Sequence, residues 1–391
     1  MDVLRDSFGR STDALRPSPR VALVSIGIGR VQRGFERMFT DLFGVLRDNL
    51  DVTLFKGGGT PSAHEKVPPF LRTATAIARA LPLGGHAGGA TYKGDCVAFG
   101  LTLLPELLRG RFDVIHCVDP PLAIVLGYLQ RVCRFRGRLL FTEGCRMPPQ
   151  YYPRVAHIHH VGLVAFQQAV AMGIPESHMT VIPIGVHTER FAKTVGRREL
   201  RRKHEISDGT FVILVVSNVE RVFKRVDYII EEVSRLEGDI LLWIDGHPDD
   251  PTLPEFARQK LGPRCRITYV PSSEVADLYH LADVMVHANL DEAFGIAVAE
   301  ALSSGIMVLT HNSPHFEWLV QDPDCLVDMS APGNLTARLR ELTARGEGFC
   351  GRSPARAESA RQRLDWRCLT PAYVEMYRKV AGLKSRATAG K

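Results

Sequence analysis

Residues 283–310 read DVMVHANLDEAFGIAVAEALSSGIMVLT, and they place two carboxylates, Glu292 and Glu300, with seven residues between them. The run opens as a buried strand, passes through a loop holding Asp291 and Glu292, and enters a helix near Phe294-Gly295 that closes at Gly305 before another strand. An ionised carboxylate only accepts hydrogen bonds, so Glu292 and Glu300 on one wall of a cleft would receive them from sugar hydroxyls. Gly295 at the helix start lets a ligand approach backbone N–H groups closely, and a helix N-terminus favours phosphate. Carboxylates beside an anion site suit a nucleotide sugar.

These groups need a frame. From Arg20 onward, short β-branched runs alternate with helical patterns, the signature of βαβ units and a mostly parallel sheet covered on both faces. Residues 21–25 form the first strand, which ends in Gly27-Ile28-Gly29; residues 35–46 carry apolar side chains at helical spacing, and 51–55 form the next strand. The following stretch is rich in glycine and proline (Gly57-Gly58-Gly59, Pro68-Pro69, Gly84-Gly85, Gly88-Gly89), and its pattern predicts one helix, 70–81, between loops. Strands at 113–118, 138–142, 157–161 and 179–184, with helices near 122–133 and 163–172, complete a first α/β domain. A basic stretch, 197–204, precedes a second set of strands at 211–216, 240–244, 266–270, 283–287 and 306–310. Residues 366–380 read as an amphipathic helix, with Leu369, Tyr373, Met376 and Tyr377 at compatible spacings. Two doubly wound domains in tandem make the cleft between them the expected ligand site.

Composition narrows the classes. Lys and Arg number 49 against 43 Asp and Glu, a net +6, too small an excess over this length to argue for nucleic acid as a partner. No apolar run approaches the roughly 20 residues of a transmembrane helix, and the charged, polar first twenty residues lack the apolar region of a secretory signal, so cytoplasmic residence is expected. The cysteines have no CxxC pair and no zinc-like spacing, and they are read as reduced structural thiols.

The segment EAFGIAVAEALSSG resembles the signature of retaining glycosyltransferases of family 4, which have the two-domain GT-B fold. IPIGV at 182–186 resembles the strand ending that family's first domain, and 211–230 its second-domain opening. Residues 241–248 resemble its next strand and turn, 276–283 the helix leading into the signature, and 366–377 the final helix that crosses back towards the first domain. The resemblance implies GT-B organisation: a tail at 1–19, an acceptor-binding domain at 20–187, a linker at 188–205, a nucleotide-sugar-binding domain at 206–365, the returning helix at 366–385 and a tail at 386–391. It implies that Glu300 holds the donor ribose, that Glu292 holds the transferred sugar, and that the backbone of Phe294, Gly295 and Ile296 meets the sugar or diphosphate. Lys224 matches the family lysine that meets the diphosphate, where a compact cation offsets the leaving group's charge without a metal. Gly27 and Gly29 fall in the loop that approaches the donor phosphates.

Three positions depart from the family. Asn218 stands where an arginine usually precedes that lysine, which leaves Arg221 or Arg225 to supply the charge. Residues 141–144 read FTEG where the family often has a histidine near the reacting centre, so Glu143 is the candidate for a polar or acceptor-activating role. Ile184 and His187 replace Asn and Asp at the domain exit, a structural variation.

Other groups are read more plainly. His116 is a core or strand-end histidine, kept with Asp119 as a minor acceptor-side candidate. Strand alternation points His157 and His159 one way and His160 the other, with no carboxylate to complete a metal site. The DPD at 322–324 mimics a metal motif of a different glycosyltransferase fold by chance. The basic tracts 131–138 and 197–202 are solvated faces, or surfaces for anionic lipid headgroups if the acceptor is membrane-bound. The expected activity is retaining, metal-independent transfer of a sugar from a UDP- or GDP-linked donor to a glycan, lipid-linked or small-molecule hydroxyl acceptor, with no cofactor. The alternatives are a nucleotide-sugar-binding protein without turnover and a phosphorylase or hydrolase on the same fold. An NAD-binding Rossmann enzyme is disfavoured, because Gln32 occupies the fingerprint's third glycine position.

Overall fold

Each of the strand-like runs named above forms a strand. The computed structural model describes residues 18–31, 34–69, 71–80, 89–191, 196–345 and 351–383. Most of the expected N-terminal tail, the C-terminal tail, Gly84-Gly85, Gly88 and Cys350 lie outside the described residues. In the first sheet, β1 (Arg20–Ser25), β2 (Asp51–Lys56), β3 (Glu65–Lys66), β4 (Val114–Cys117), β5 (Arg138–Glu143), β6 (His157–His160) and β7 (Met179–Val181) take the order β3-β2-β1-β4-β5-β6-β7. In the second, β8 (Phe211–Val216), β9 (Ile240–Asp245), β10 (Cys265–Thr268), β11 (Val284–His287), β12 (Met307–His311) and β13 (Leu326–Val327) take the order β10-β9-β8-β11-β12-β13. Pairing is parallel through the second sheet and from β3 to β5 in the first. Strands buried on both faces need continuous apolar runs, which Val21–Val24 and Val212–Val215 supply.

The helices of the first half are α1 (Gly34–Leu46), α2 (Leu71–Ala80), α3 (Gly89–Gly110), α4 (Pro120–Cys133) and α5 (Leu163–Ala171). Those of the second are α6 (Arg197–Lys203), α7 (Val226–Ser234), α8 (Leu253–Leu261), α9 (Val275–Leu281), α10 (Ile296–Ser304), α11 (Pro314–Val320), α12 (Asn334–Thr343), α13 (Pro354–Leu364) and α14 (Trp366–Ala381). The described chain folds as two compact units. One runs up to Thr142 and adds Pro153–Ile158 and the residues from Ala372; the other holds Glu143–Tyr152 and His159–Pro371.

The largest difference from the sequence reading is α3. Glycine-rich loops were expected on both sides of a single helix, yet a 22-residue helix starts at Gly89 and contains Pro105. Gly100 shows why glycine is tolerated there. A Cβ at that position would stand 2.7 Å from Val125 Cγ1 and within reach of Leu122 and Leu129, so its absence lets α3 lie close against α4. Packing outweighs the propensity cost of roughly 1 kcal/mol per interior glycine.

In the second sheet, strand order reverses on either side of β8, whose neighbours are β9 and β11. At such a switch point the loops leaving adjacent strands diverge and open a crevice at the strands' carboxyl ends. The loops after β8 and β11 carry Lys224 and Glu292.

Candidate functional site

The loop after β8 is organised by one carboxylate. Glu220 accepts hydrogen bonds from the backbone N–H groups of Val222 (2.6 Å), Phe223 (2.9 Å) and Lys224. This tight turn ends at Arg225, whose backbone is left-handed (φ 52°) as it caps α7. The Arg225 guanidinium donates to the Ala288 carbonyl at 3.2 Å and the Met329 carbonyl at 2.8 Å, and it lies 4.3 Å over the Tyr228 ring. The loop is thereby tied to the end of β11, and Lys224 Nζ reaches Glu292 Oε2 at 3.0 Å.

Three donors converge on that oxygen: Lys224, the His287 imidazole at 3.1 Å and Asn289 Nδ2 at 2.6 Å. Burial alone would push the Glu292 pKa up. The His287 hydrogen bond and the charges of His287 and Lys224 outweigh it and hold the carboxyl well below the usual range. Glu292 is therefore a fixed negative charge with a lysine beside it. His287 is itself buried, its ring edge-on to Phe316 at 5.7 Å. Asn289 directs its amide nitrogen at Glu292, and its buried Oδ1 has no partner among the described residues.

Helix α10 begins against the same carboxylate. Gly295 has φ 90°, and a Cβ there would sit 3.5 Å from Glu292 Cγ. A left-handed N-cap without a side chain leaves the first N–H groups of the helix without a side-chain cap. Phe294 is buried, and its carbonyl is bonded to His315 Nε2 at 3.0 Å. Gly162 lies against this turn, since a Cβ there would approach the Ala293 carbonyl at 3.1 Å. Glu300, just past the first turn of α10, is buried and accepts from the Tyr279 hydroxyl at 3.2 Å.

Glu143 stands in the same unit beside Arg146. Burial raises its pKa, opposed by the backbone N–H groups of Met147, Arg146 and Cys145 and by the Arg146 charge. Arg146 forms an ion pair with Asp291, and the charges of Glu292 and Glu143 offset the lowering of its own pKa by burial. One guanidinium thus links Glu143 to the Asp291-Glu292 loop.

The structure brings together Lys224, Glu292, Phe294, Gly295, Ile296 and Glu300 on adjoining loops and one helix. Gly27 and Gly29 belong to the other unit. Gly29 has φ 78°, and a Cβ there would strike the Gly58 carbonyl at 2.2 Å, so the two glycine turns interlock. They border a cavity of about 380 Å³ that Arg30, Arg72 and Thr75 also line. Of the two arginines considered for the missing charge, Arg221 is engaged by Asp250 at 2.9 Å, whereas Arg225 reaches the β11 end as described. Asn218 is bonded to Asp249 at 2.7 Å.

Sequence reading missed His287, Asn289, Arg146 and His315. The first two carried a signal, two polar groups within five residues of Glu292 at a strand's end. Arg146 and His315 are recruited only by tertiary packing.

The remaining candidates take structural places. His116 is fully buried, bonded to the Tyr377 hydroxyl at 2.7 Å and to Thr142 Oγ1 at 2.6 Å. Asp119 accepts from the Tyr92 hydroxyl. His157, His159 and His160 are all buried in β6. The tract 197–202 is not a solvated or lipid-facing surface throughout: Arg197 and Arg201 both pair with Asp283, and Arg201 is buried. Asp322 caps the turn at Pro323–Cys325 and pairs with Arg356 at 2.8 Å.

Comparison with known proteins bears on the second half of the chain and on the fold. Residues 196–350 match the family model described as glycosyl transferases group 1. The chain is similar to the alpha-monoglucosyldiacylglycerol synthase of Acholeplasma laidlawii, 24% identical over 195 residues, covering 46% of this chain and 45% of that protein. It is also similar to the lipopolysaccharide glucosyltransferase WaaG of Escherichia coli (strain K12), 28% identical over 161 residues, covering 39% of this chain and 42% of that protein. The chain thus spans less than half the length of these curated relatives. Among solved structures, a sucrose-phosphate synthase from Thermosynechococcus elongatus superposes with a TM-score of 0.76 at 15% identity, over 93% of this chain and 99% of that one. The fold is GT-B, two Rossmann-like units each built on a parallel sheet, and the match to the glycosyl transferases group 1 model falls on the second of them.

Proposed function

We propose that this chain is a retaining glycosyltransferase that moves a sugar from a UDP- or GDP-linked donor to an acceptor hydroxyl in glycolipid, polysaccharide or glycoconjugate assembly, working in the cytoplasm. The observation that carries the reading is the Lys224–Glu292 pair at the switch point of the second sheet, beside the N-terminus of α10. Glu292 accepts hydroxyls of the transferred sugar and Glu300 those of the ribose, while Lys224 and the uncapped N–H groups of α10 meet the diphosphate. The ammonium and the helix end offset the charge that develops on the leaving group, a role a divalent cation fills elsewhere.

In the transfer step the bond from the anomeric carbon to the diphosphate oxygen breaks, and the acceptor oxygen bonds to that carbon on the same face. The acceptor proton passes to the departing phosphate oxygen. Glu143, whose pKa burial raises, contributes a polar contact to the acceptor side. The names of two relatives, a diacylglycerol-glycolipid synthase and a lipopolysaccharide glucosyltransferase, support a lipid-borne acceptor.

The test is transfer in chelator-treated buffer from α-linked donors to lipid and glycan acceptors, with the product's anomeric coupling read by NMR. An α-linked product supports the reading, and a β-linked product or a strict requirement for added divalent cation contradicts it. Two further readings remain separable. Asn218, bonded to Asp249 in place of a cation, favours a donor-binding protein without turnover, which would show tight donor binding and no product. A phosphorylase or hydrolase would consume donor with phosphate or water alone.

A further inference from the structure

Two adjacent helices of the first-half unit expose apolar side chains in helical register. On α4, Ile124, Tyr128 and Val132 recur every fourth residue and are 57%, 68% and 62% exposed. On α3, Val97, Leu101 and Leu108 follow the same face and are likewise exposed. Gly100 seats α3 against α4, so the two stripes belong to one surface. Single exposed apolar residues need no explanation, whereas a contiguous set on paired helices marks an interaction surface.

The charges around this surface have one sign. Arg131 sits between Tyr128 and Val132 on α4, and Arg134 and Arg136 follow its end; Arg109 and Arg111 stand at the end of α3. All five are exposed, and Glu106, the acidic residue of α3 on this stretch, is neutralised by Lys66 at 2.7 Å. Exposed leucine, isoleucine and tyrosine beside an arginine fringe match the interface of an anionic bilayer, where apolar side chains enter the acyl boundary and arginines meet headgroups. Among the described residues no helix is long and apolar enough to cross a membrane, so contact through this face would be peripheral.

We propose that the α3–α4 face is a membrane-docking surface that lays the chain on anionic lipid. The inference deepens the reading of a lipid-borne acceptor, because a chain held at the bilayer meets such an acceptor at the surface that contains it.

The test is flotation of the full chain with phosphatidylglycerol-rich vesicles and with pure phosphatidylcholine vesicles. Four chains are compared: wild type, Tyr128→Ser with Val132→Ser, Arg131→Glu with Arg134→Glu, and Met172→Ser as an exposed apolar control elsewhere. Wild type and the control are expected to float with anionic vesicles, and each double variant to partition at least about tenfold more weakly. Equal flotation of wild type and both double variants overturns the assignment. So does a wild-type dimer that the Tyr128/Val132 variant converts to monomer without vesicle binding, which would make the face a contact between copies. Nucleotide-dependent thermal stabilisation, read on the same chains, is expected to be unchanged in every variant. Its absence in wild type would count against the transferase reading while leaving the vesicle result to stand by itself.

Discussion

Lys224 Nζ lies 3.0 Å from Glu292 Oε2, and the same oxygen also accepts from His287 and Asn289. When Lys224 turns to an incoming diphosphate, His287 and Asn289 still hold the carboxylate.

Lys224→Gln should leave the fold intact, because His287 and Asn289 still hold Glu292 and a partly exposed ion pair contributes at most about 1 kcal/mol. Turnover should fall by about a hundredfold to a thousandfold, the usual effect of removing one charge-stabilising donor. Steady-state kinetics beside a urea titration check both halves, and a large stability loss with modest kinetic loss would reassign the residue to structure.

Glu143 gives a pH test. Burial raises its folded pKa, so the folded state prefers the protonated form and is penalised as pH rises from the unfolded value of about 4.3 through the folded one. Glu143→Gln, which keeps an acceptor for the Met147 N–H, should match wild type in Tm at acidic pH and exceed it increasingly towards neutrality. For Glu292 the sign is opposite. Its pKa is depressed, so its contribution is present above about pH 4.3 and lost as pH falls through the folded value; Glu292→Gln should be least stable relative to wild type at neutral pH. Calorimetry across pH measures both differences, and parallel curves would contradict the assigned environments.

Gly295→Ala isolates backbone geometry. The nearest atom to the added Cβ is 3.4 Å away, so crowding is slight and the cost is the left-handed φ of 90°, roughly 1–2 kcal/mol. Donor KM should rise as the start of α10 relaxes, and an unchanged KM would remove the helix N-terminus from the site.

Tyr377→Phe probes the other unit. It leaves fully buried His116 Nδ1 without its 2.7 Å partner, a loss of about 1–3 kcal/mol in urea unfolding. Kinetic constants should stay near wild type, and a selective rise in acceptor KM would return His116 to the acceptor side.

These outcomes follow from parts of the molecule that differ in how openly the sequence shows them. Runs such as Val21–Val24 and Val212–Val215 declare buried parallel strands, because the chain needs nothing but local apolarity to be read there. Helix α3 hides its character, since Gly89, Gly94, Gly100 and Pro105 all argue against helix and only the fit of Gly100 against Val125 shows what that glycine is for. Glu292 and Glu300 stand out as candidates by their spacing around a helix start, and Lys224 only through the family resemblance. Arg146, which joins Glu143 to the Asp291-Glu292 loop, does not stand out, because more than a hundred residues separate it from the group it pairs with. The arginines at 197 and 201 look solvated in a basic run, and only the fold shows Asp283 beneath them.

The proposed nucleotide-sugar site lies between Glu300 on α10 and Glu292 on the loop before it. Its most direct test is a thermal-shift series with UDP, GDP, ADP, TDP and their sugar conjugates, without metal, on wild type and Glu300→Ala, since a ligand of the native state raises its stability. One base family is expected to raise the wild-type Tm and to lose that effect in Glu300→Ala. A full response retained by the variant, or no response to any nucleotide in wild type, would contradict it.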